Sequence, residues 1–229
     1  MPTKLTFDFV SDVSCPWCVI GLRGLEIALG RVGDLVEAEI RFHPFELNPG
    51  IAADGENLRE HIVRKYGSMT PDQVQAGRAS MKARAAALGF EMNTSDDTRI
   101  WNTFDAHRLL HWAALEGRQV ELKKALFEAY FTRQLSPSDH DVLADAAQGV
   151  GLDRAMAAEI LATDRYAAEV RQELRHWREE GVTAVPAIFI NDRYVINGGQ
   201  PPEAFERALR HIAREEAGAA AAEPALSDG

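Results

Sequence analysis

The residues best suited to chemistry are Cys15 and Cys18, the chain's two cysteines, in the order Cys15-Pro16-Trp17-Cys18. Cysteines three positions apart at a helix start share one face, where a disulfide can close with little backbone movement. Immediately upstream, Lys4 to Val10 (KLTFDFV) alternates apolar and polar side chains as a strand does, and Ser11, Asp12 and Ser14 follow as turn formers. From Pro16 to about Leu29, the apolar positions Val19, Ile20, Leu22, Leu25, Ile27 and Leu29 predict a largely buried helix, with Gly30 and Gly33 as stops. Both cysteines therefore fall where that helix begins. Its unpaired N–H groups and the positive end of its dipole favour a thiolate on Cys15, and Pro16 gives up no hydrogen bond at the first helical position. Cys15 is thus the predicted attacking thiol. Cys18, one turn inside, should be less exposed and suited to resolving a mixed disulfide.

Two plainer readings compete: small apolar residues in a core, or half of a metal site. A zinc site needs four ligands, and no second CxxC or closely spaced histidine pair follows, so no metal is expected. Two cysteines cannot form a structural framework, and cytosolic reductants keep most thiols reduced. Chemistry at this pair is therefore expected to be dynamic, with no prosthetic group.

Val36 to Phe45 (VEAEIRFHPF) alternates again and completes a β-α-β unit, whose strands should be parallel. Between about Asn48 and Thr163 strand patterns give way to helical ones, predicted at about 57–66, from Thr70-Pro71-Asp72-Gln73 to Gly89, and at about 97–116, 118–134, 139–148 and 153–162. Thr163 or Asp164 is a candidate cap for a helix ending at Glu180-Gly181. Ala187 to Ile190 and Arg193 to Ile196 read as an antiparallel pair turning at Asn191-Asp192, and Pro201 to Arg214 as the last helix. The organisation predicted is α/β: a discontinuous domain of residues 1–47 and 164–216, an all-helical insertion of 48–163, and a frayed tail of 217–229.

The formal net charge of −10 argues against a nucleic-acid partner. No run approaches the roughly 20 apolar residues of a membrane span, and MPTKLTFDFV lacks the pattern of a signal peptide, so no membrane association and a cytoplasmic location are expected. Among other candidates, Trp101, Phe104, Trp112, Phe127, Tyr130 and Phe131 have the spacing of core residues. His43 reads as a structural or surface histidine, with proton transfer at the redox pair as its alternative.

A strand, then CPWC opening a helix, a long helical insertion, then VTAVPAIFI and VINGGQPPEAF closely resembles the DsbA family of thioredoxin-fold oxidoreductases, in particular its cytoplasmic FrnE-like dithiol-disulfide isomerase branch. Phe42 to Pro49 (FHPFELNP) resembles that branch's (R/H)PFxLNP stretch. The resemblance covers residues 4 to 212 and implies a thioredoxin fold with a large helical insertion. It also implies Cys15 as attacking and Cys18 as resolving thiol, a cis bond between Val185 and Pro186 beside them, and substrate positioning by Pro16, Trp17, Val185 and Pro186. DsbA itself has Pro-His between its cysteines. Pro16-Trp17 brings no formal charge and looks more like the dipeptide of glutaredoxins, which implies a weaker oxidant.

Implied partners are thiol or disulfide proteins, or glutathione as a co-substrate, with the protein a monomer or homodimer. A second class sharing the inserted-helix architecture, the kappa-type glutathione transferases and hydroxychromene-carboxylate isomerases, usually carries Ser where Cys15 stands. A non-catalytic holdase or peptide binder would need neither thiol. Because helix position singles out Cys15, iodoacetamide at neutral pH should alkylate Cys15 of the reduced protein well before Cys18, as read by peptide mass spectrometry. Equal rates at the two sites would remove the basis for that assignment.

Overall fold

The computed structural model describes residues 2–52, 54–67 and 70–222. Strand β1 (Thr3–Ser11) leads through a four-residue turn into helix α1 (Pro16–Arg31), and β2 (Val36–Pro44) returns parallel to β1, with Phe9 opposite Phe42. The β-α-β reading thus holds.

The insertion follows as β3 (Glu56–Asn57), α2 (Leu58–Tyr66), α3 (Pro71–Ala87), β4 (Arg99–Ile100), α4 (Phe104–Leu115), α5 (Gln119–Phe127), a π-helical turn at Glu128–Thr132, α6 (His140–Gly149) and α7 (Arg154–Ala162). The helix predicted at 97–116 starts late. Arg99 and Ile100 instead pair antiparallel with Asn57 and Glu56, a two-residue ladder too short to carry an alternating pattern. The helix predicted at 118–134 stops being α-helical at Phe127 and finishes in the π turn.

After the insertion come α8 (Ala167–Glu179), β5 (Ala187–Ile190), β6 (Tyr194–Asn197) and α9 (Pro202–Ala222). Neither Thr163 nor Asp164 caps α8 directly. Its N-cap is Tyr166 in the left-handed region at φ 63°. The buried Arg108 guanidinium draws the carbonyls of Ile160, Thr163 and Arg165 inward, which fixes the connection and delays the helix. Asn191 and Asp192 sit at φ 50° and 54° in the three-residue connection 191–193, a tight left-handed turn across which β5 and β6 pair antiparallel with Ile190 opposite Tyr194. The last helix runs to Ala222, beyond the predicted tail boundary at 217, because the alanine-rich stretch has high intrinsic helix propensity. Residues 223–229 lie outside the described residues. Among the described residues, no helix is long and apolar enough to cross a membrane.

The sheet order is β2-β1-β5-β6, which places β1 centrally. Phe7 and Phe9 point to the face covered by α1 and α9, where Leu22, Leu25, Phe205 and Leu209 complete the core. Val10 faces the other side, against Trp177 of α8. Fully burying each such side chain is worth about 1.5–3 kcal/mol. Close approach of α1 to the chain before α9 depends on Gly24, where a Cβ would lie 2.7 Å from the Gln200 carbonyl oxygen. A second core lies inside the insertion, around Leu109, Leu122, Leu126, Leu143 and Ile160. Val13, from the β1–α1 turn, is buried in this second core, so one short turn is held by both.

Among the buried charged residues Asp12, Arg108 and Lys123, the lysine differs from the other two. Lys123 of α5 is 0% exposed, and its Nζ has no hydrogen-bond partner among the described residues. It is flanked by the rings of Phe42 and Phe127 at 5.5 and 5.1 Å. A buried polar group without a hydrogen bond costs about 1–3 kcal/mol by mutational measures. Lys123→Met, close in shape, should therefore raise stability by about that amount, read from urea unfolding. A loss of stability would show that the amine is satisfied in the folded protein.

Candidate active site

Cys15 is the N-cap of α1, with extended backbone at φ −91° and ψ 112°, and Pro16 follows in the first turn. Its Sγ accepts the Cys18 N–H at 3.3 Å, so the sulfur occupies the place that a serine or aspartate oxygen takes in an ordinary N-cap. The same sulfur lies 3.6 Å from the carbonyl oxygen of Val185, to which the thiol donates. The Val185–Pro186 bond is cis. Gly21 lets the Pro186 ring settle on α1, since a Cβ there would lie 3.2 Å from its Cγ. Gly199 packs on Trp17 in the same way, with a would-be Cβ 2.8 Å from the Trp17 carbonyl.

The structure thus brings together all six residues singled out in the sequence: Cys15, Pro16, Trp17, Cys18, Val185 and Pro186. Both cysteines are unbonded thiols, Cys15 with 2% of its surface exposed and Cys18 with none. Cys15 is less open than an attacking thiol at a helix start is expected to be, because its sulfur turns toward Val185 and the helix N–H. Trp17, 37% exposed, forms the outer surface beside it, with the Arg84 guanidinium 5.4 Å from its ring centre.

Beneath the pair lies a set of buried polar groups that the sequence reading missed. Asp12 accepts the N–H groups of Ser14 at 3.2 Å and Leu47 at 2.7 Å, and its Oδ1 is 3.7 Å from His107 Nε2. The same Nε2 donates to the Phe45 carbonyl at 3.0 Å. Burial pushes the Asp12 carboxyl up, but His107 and the two backbone donors outweigh it and hold the group below its ordinary value. Burial also raises the Cys18 thiol well above its ordinary value, reinforced by Cys15 and opposed by the positive charge of Lys123. Lys123 is pushed down by burial to about 8, while Cys18, Asp12 and Cys15 pull the other way.

A signal for Lys123 existed. In α5 the buried positions Leu122, Lys123, Leu126 and Phe127 form one stripe at helical spacing, and the lysine stands in it where a leucine belongs. Asp12 carried no such mark, since an aspartate after a strand reads as a turn former.

His43 lies elsewhere. Its register opposite Val10 puts it on the sheet face of α8, where its ring stacks on Trp177 at 4.7 Å, with Nε2 2.7 Å from Asp8 and Nδ1 3.4 Å from Glu173. Burial lowers its affinity for a proton, but Asp8 and Glu173 more than reverse this and raise it. Glu173 also binds His111 at 3.0 Å; burial raises its carboxyl, yet the two histidines hold it down at about 2. His43 therefore belongs to an ion network joining the sheet to α4 and α8. The candidate aromatics Trp112, Phe127, Tyr130 and Phe131 are buried, as their spacing predicts, and the last three pack in the cluster that holds the cysteines.

Comparison with known proteins gives concordant results. A model of the DSBA-like thioredoxin domain matches residues 6–210. The uncharacterized protein YwbO of Bacillus subtilis is 30% identical over 201 residues, spanning 87% of this chain and 92% of its own. The crystal structure of the probable DsbA oxidoreductase SCO1869 from Streptomyces coelicolor superposes with a TM-score of 0.83 at 35% identity, covering 98% of this chain and 94% of that one. The cytosolic disulfide reductase DsbM from Pseudomonas aeruginosa, at 17% identity and a TM-score of 0.61 over 91% of this chain and 99% of its own, shares the fold. With a strand-turn-helix carrying CPWC, the Val185–Pro186 bond beside it and a helical insertion, the chain belongs to the DsbA-like thioredoxin domain family of oxidoreductases.

Proposed function

We propose that this protein is a thiol-disulfide oxidoreductase or isomerase in which Cys15 attacks and Cys18 resolves. The observation that carries this reading is the place of the Cys15 sulfur: it caps α1, takes the Cys18 N–H at 3.3 Å, and faces the Val185 carbonyl at 3.6 Å. A thiolate formed there accepts a backbone N–H at the positive end of a helix, which stabilises negative charge.

Exchange proceeds in two displacements. The Cys15 thiolate attacks one sulfur of a substrate disulfide; a Cys15–substrate bond forms, and the other substrate sulfur leaves with the electron pair. Cys18 then attacks Cys15, closing the Cys15–Cys18 disulfide and releasing the first substrate sulfur as a thiolate. The substrate is reduced by two electrons and the protein oxidised by two. Run backwards, the same steps oxidise a dithiol, and release of a scrambled substrate before resolution is isomerisation.

Substrate approach is set by the neighbours. An extended segment laid beside Val185 can donate an N–H to its carbonyl in place of the Cys15 thiol, which frees that sulfur to react. Pro186 offers no competing donor, while Pro16 and Trp17 form the outer wall against which the segment rests. Partners of this reading are disulfide or thiol proteins, with glutathione as a co-substrate that returns the pair to its reduced form. A cytoplasmic setting suits a reductase or isomerase of this kind, and the likeness to a cytosolic disulfide reductase supports it.

Reduction of a fluorescent peptide disulfide by glutathione tests the proposal. The wild type should accelerate it, and Cys15→Ser should abolish the acceleration. Cys18→Ser should accumulate a peptide disulfide on Cys15, identified by mass spectrometry. Acceleration that survives Cys15→Ser would refute the exchange reading and point to activation of bound glutathione instead.

A further inference from the structure

Resting on the exchange reading, we propose that Arg84 of α3 recognises acidic residues flanking the disulfide of a polypeptide substrate, its guanidinium taking a carboxylate of the segment laid against Trp17. The arginine comes from the helical insertion. Specificity would then be supplied by the insertion to a thiol that belongs to the other part of the fold.

The end of α3 that carries Arg84 is anchored to the redox helix. The next residue, Ala85, has no exposed surface and packs in the same buried cluster as both cysteines. At the C-cap of α3, the Leu88 carbonyl accepts the Arg23 Nε–H from α1 at 3.4 Å, so the two helices are joined directly. From this anchored turn the Arg84 guanidinium lies over the Trp17 ring, 5.4 Å from its centre. A cation within about 6 Å of an aromatic centre is attracted by the ring. Trp17 is itself held from the other side of the site, because the backbone of Gly199 approaches so closely that a Cβ there would lie 3.1 Å from Trp17 Cε3.

Arg84 is exposed, and among the described residues it has no ion pair or hydrogen bond. Neighbouring arginines are already committed: Arg78 of the same helix binds Asp96 at 2.6 Å, and Arg23 binds Glu26 at 2.9 Å. The ring holds the Arg84 cation but offers it no carboxylate, so the planar fork of N–H donors remains available. A substrate carboxylate matches that fork with two parallel hydrogen bonds. Contact with Trp17 also restrains the side chain beforehand, which reduces the conformational freedom lost when the carboxylate arrives. The net charge of −10 works against acidic partners at long range, so recognition of one must come from a local contact of this kind.

Reduced protein mixed with fluorescent peptide disulfides that carry either Glu or Lys on both sides of the cysteine, without glutathione and with rapid acid quench, gives the rate at which each disulfide is opened. Comparing the Glu-to-Lys rate ratio between variants cancels the intrinsic reactivity of the two peptides. Arg84→Met should lower that ratio about three- to fivefold, the size of an exposed ion pair, and Arg84→Glu should lower it further. In about 1 M salt, where the Debye length is about 3 Å, the difference between the wild type and Arg84→Met should vanish. Arg214→Glu makes the same change of charge beside Thr3, at the end of β1 away from the cysteines, and should keep the wild-type ratio. A ratio unchanged in both Arg84 variants would overturn the proposal, as would a loss that persists in high salt, since Arg84 would then only cover Trp17. An equal drop in Arg214→Glu would also overturn it and assign the effect to overall charge. An effect of Arg84→Glu confined to oxidised glutathione, used as a third substrate, would overturn the polypeptide assignment in favour of glutathione's own carboxylates. If the wild type opens no disulfide, the exchange reading itself fails; if it opens both peptides and only the Arg84 outcomes fail, exchange stands without this selectivity.

Discussion

The enclosed Asp12 carboxylate fixes the turn on which the redox pair rests. One oxygen binds the Ser14 N–H inside that turn, and the other reaches across to the Leu47 N–H in the chain leaving β2. Hydrogen bonds to a charged group are worth about 1.5–3 kcal/mol each, enough to set the geometry of so short a segment. With Val13 beside it buried in the core of the insertion, the turn can neither lift from the sheet nor slide along it. Cys15 inherits its position from this clamp. The cap on α1, the contact with Val185 and the burial of Cys18 follow in turn.

The cost of this arrangement is a concentration of polar groups where a small domain would otherwise bury only hydrocarbon. Asp12 and His107 offset one another and use backbone partners for their remaining hydrogen bonds. Lys123 does not, and it remains enclosed between two aromatic rings. The helical insertion thereby does more than cover the sheet: His107 of α4 lies against Asp12, and Val13 packs into the core of the insertion.

Legibility in the sequence followed the range of the interactions. The alternation of KLTFDFV, the proline after Cys15 and the Asn191-Asp192 turn are local signals, and each corresponds to what the chain does there. The pairing of Val185 with Cys15 spans 170 positions, so residue patterns alone could not supply it; it entered through family likeness. The strands at Glu56–Asn57 and Arg99–Ile100 and the late start of α8 were illegible because distant partners, such as the Arg108 guanidinium, decide them. Asp12 and His107 were illegible for the same reason. Lys123 was readable in principle from its place in an apolar stripe, but its contact with Phe42 depends on how α5 meets β2.

The most direct test of a reversible exchange couple at Cys15 and Cys18 is their equilibrium with glutathione redox buffers, quenched by acid and read by mass spectrometry. Trp17 brings no formal charge between the cysteines, where DsbA carries a histidine, so a weaker oxidant than DsbA is expected. The expected result is one reversible disulfide with a potential of about −200 to −230 mV, the glutaredoxin range, whereas DsbA lies near about −120 mV. Failure of the disulfide to form in any buffer, or a potential above about −150 mV, would contradict it.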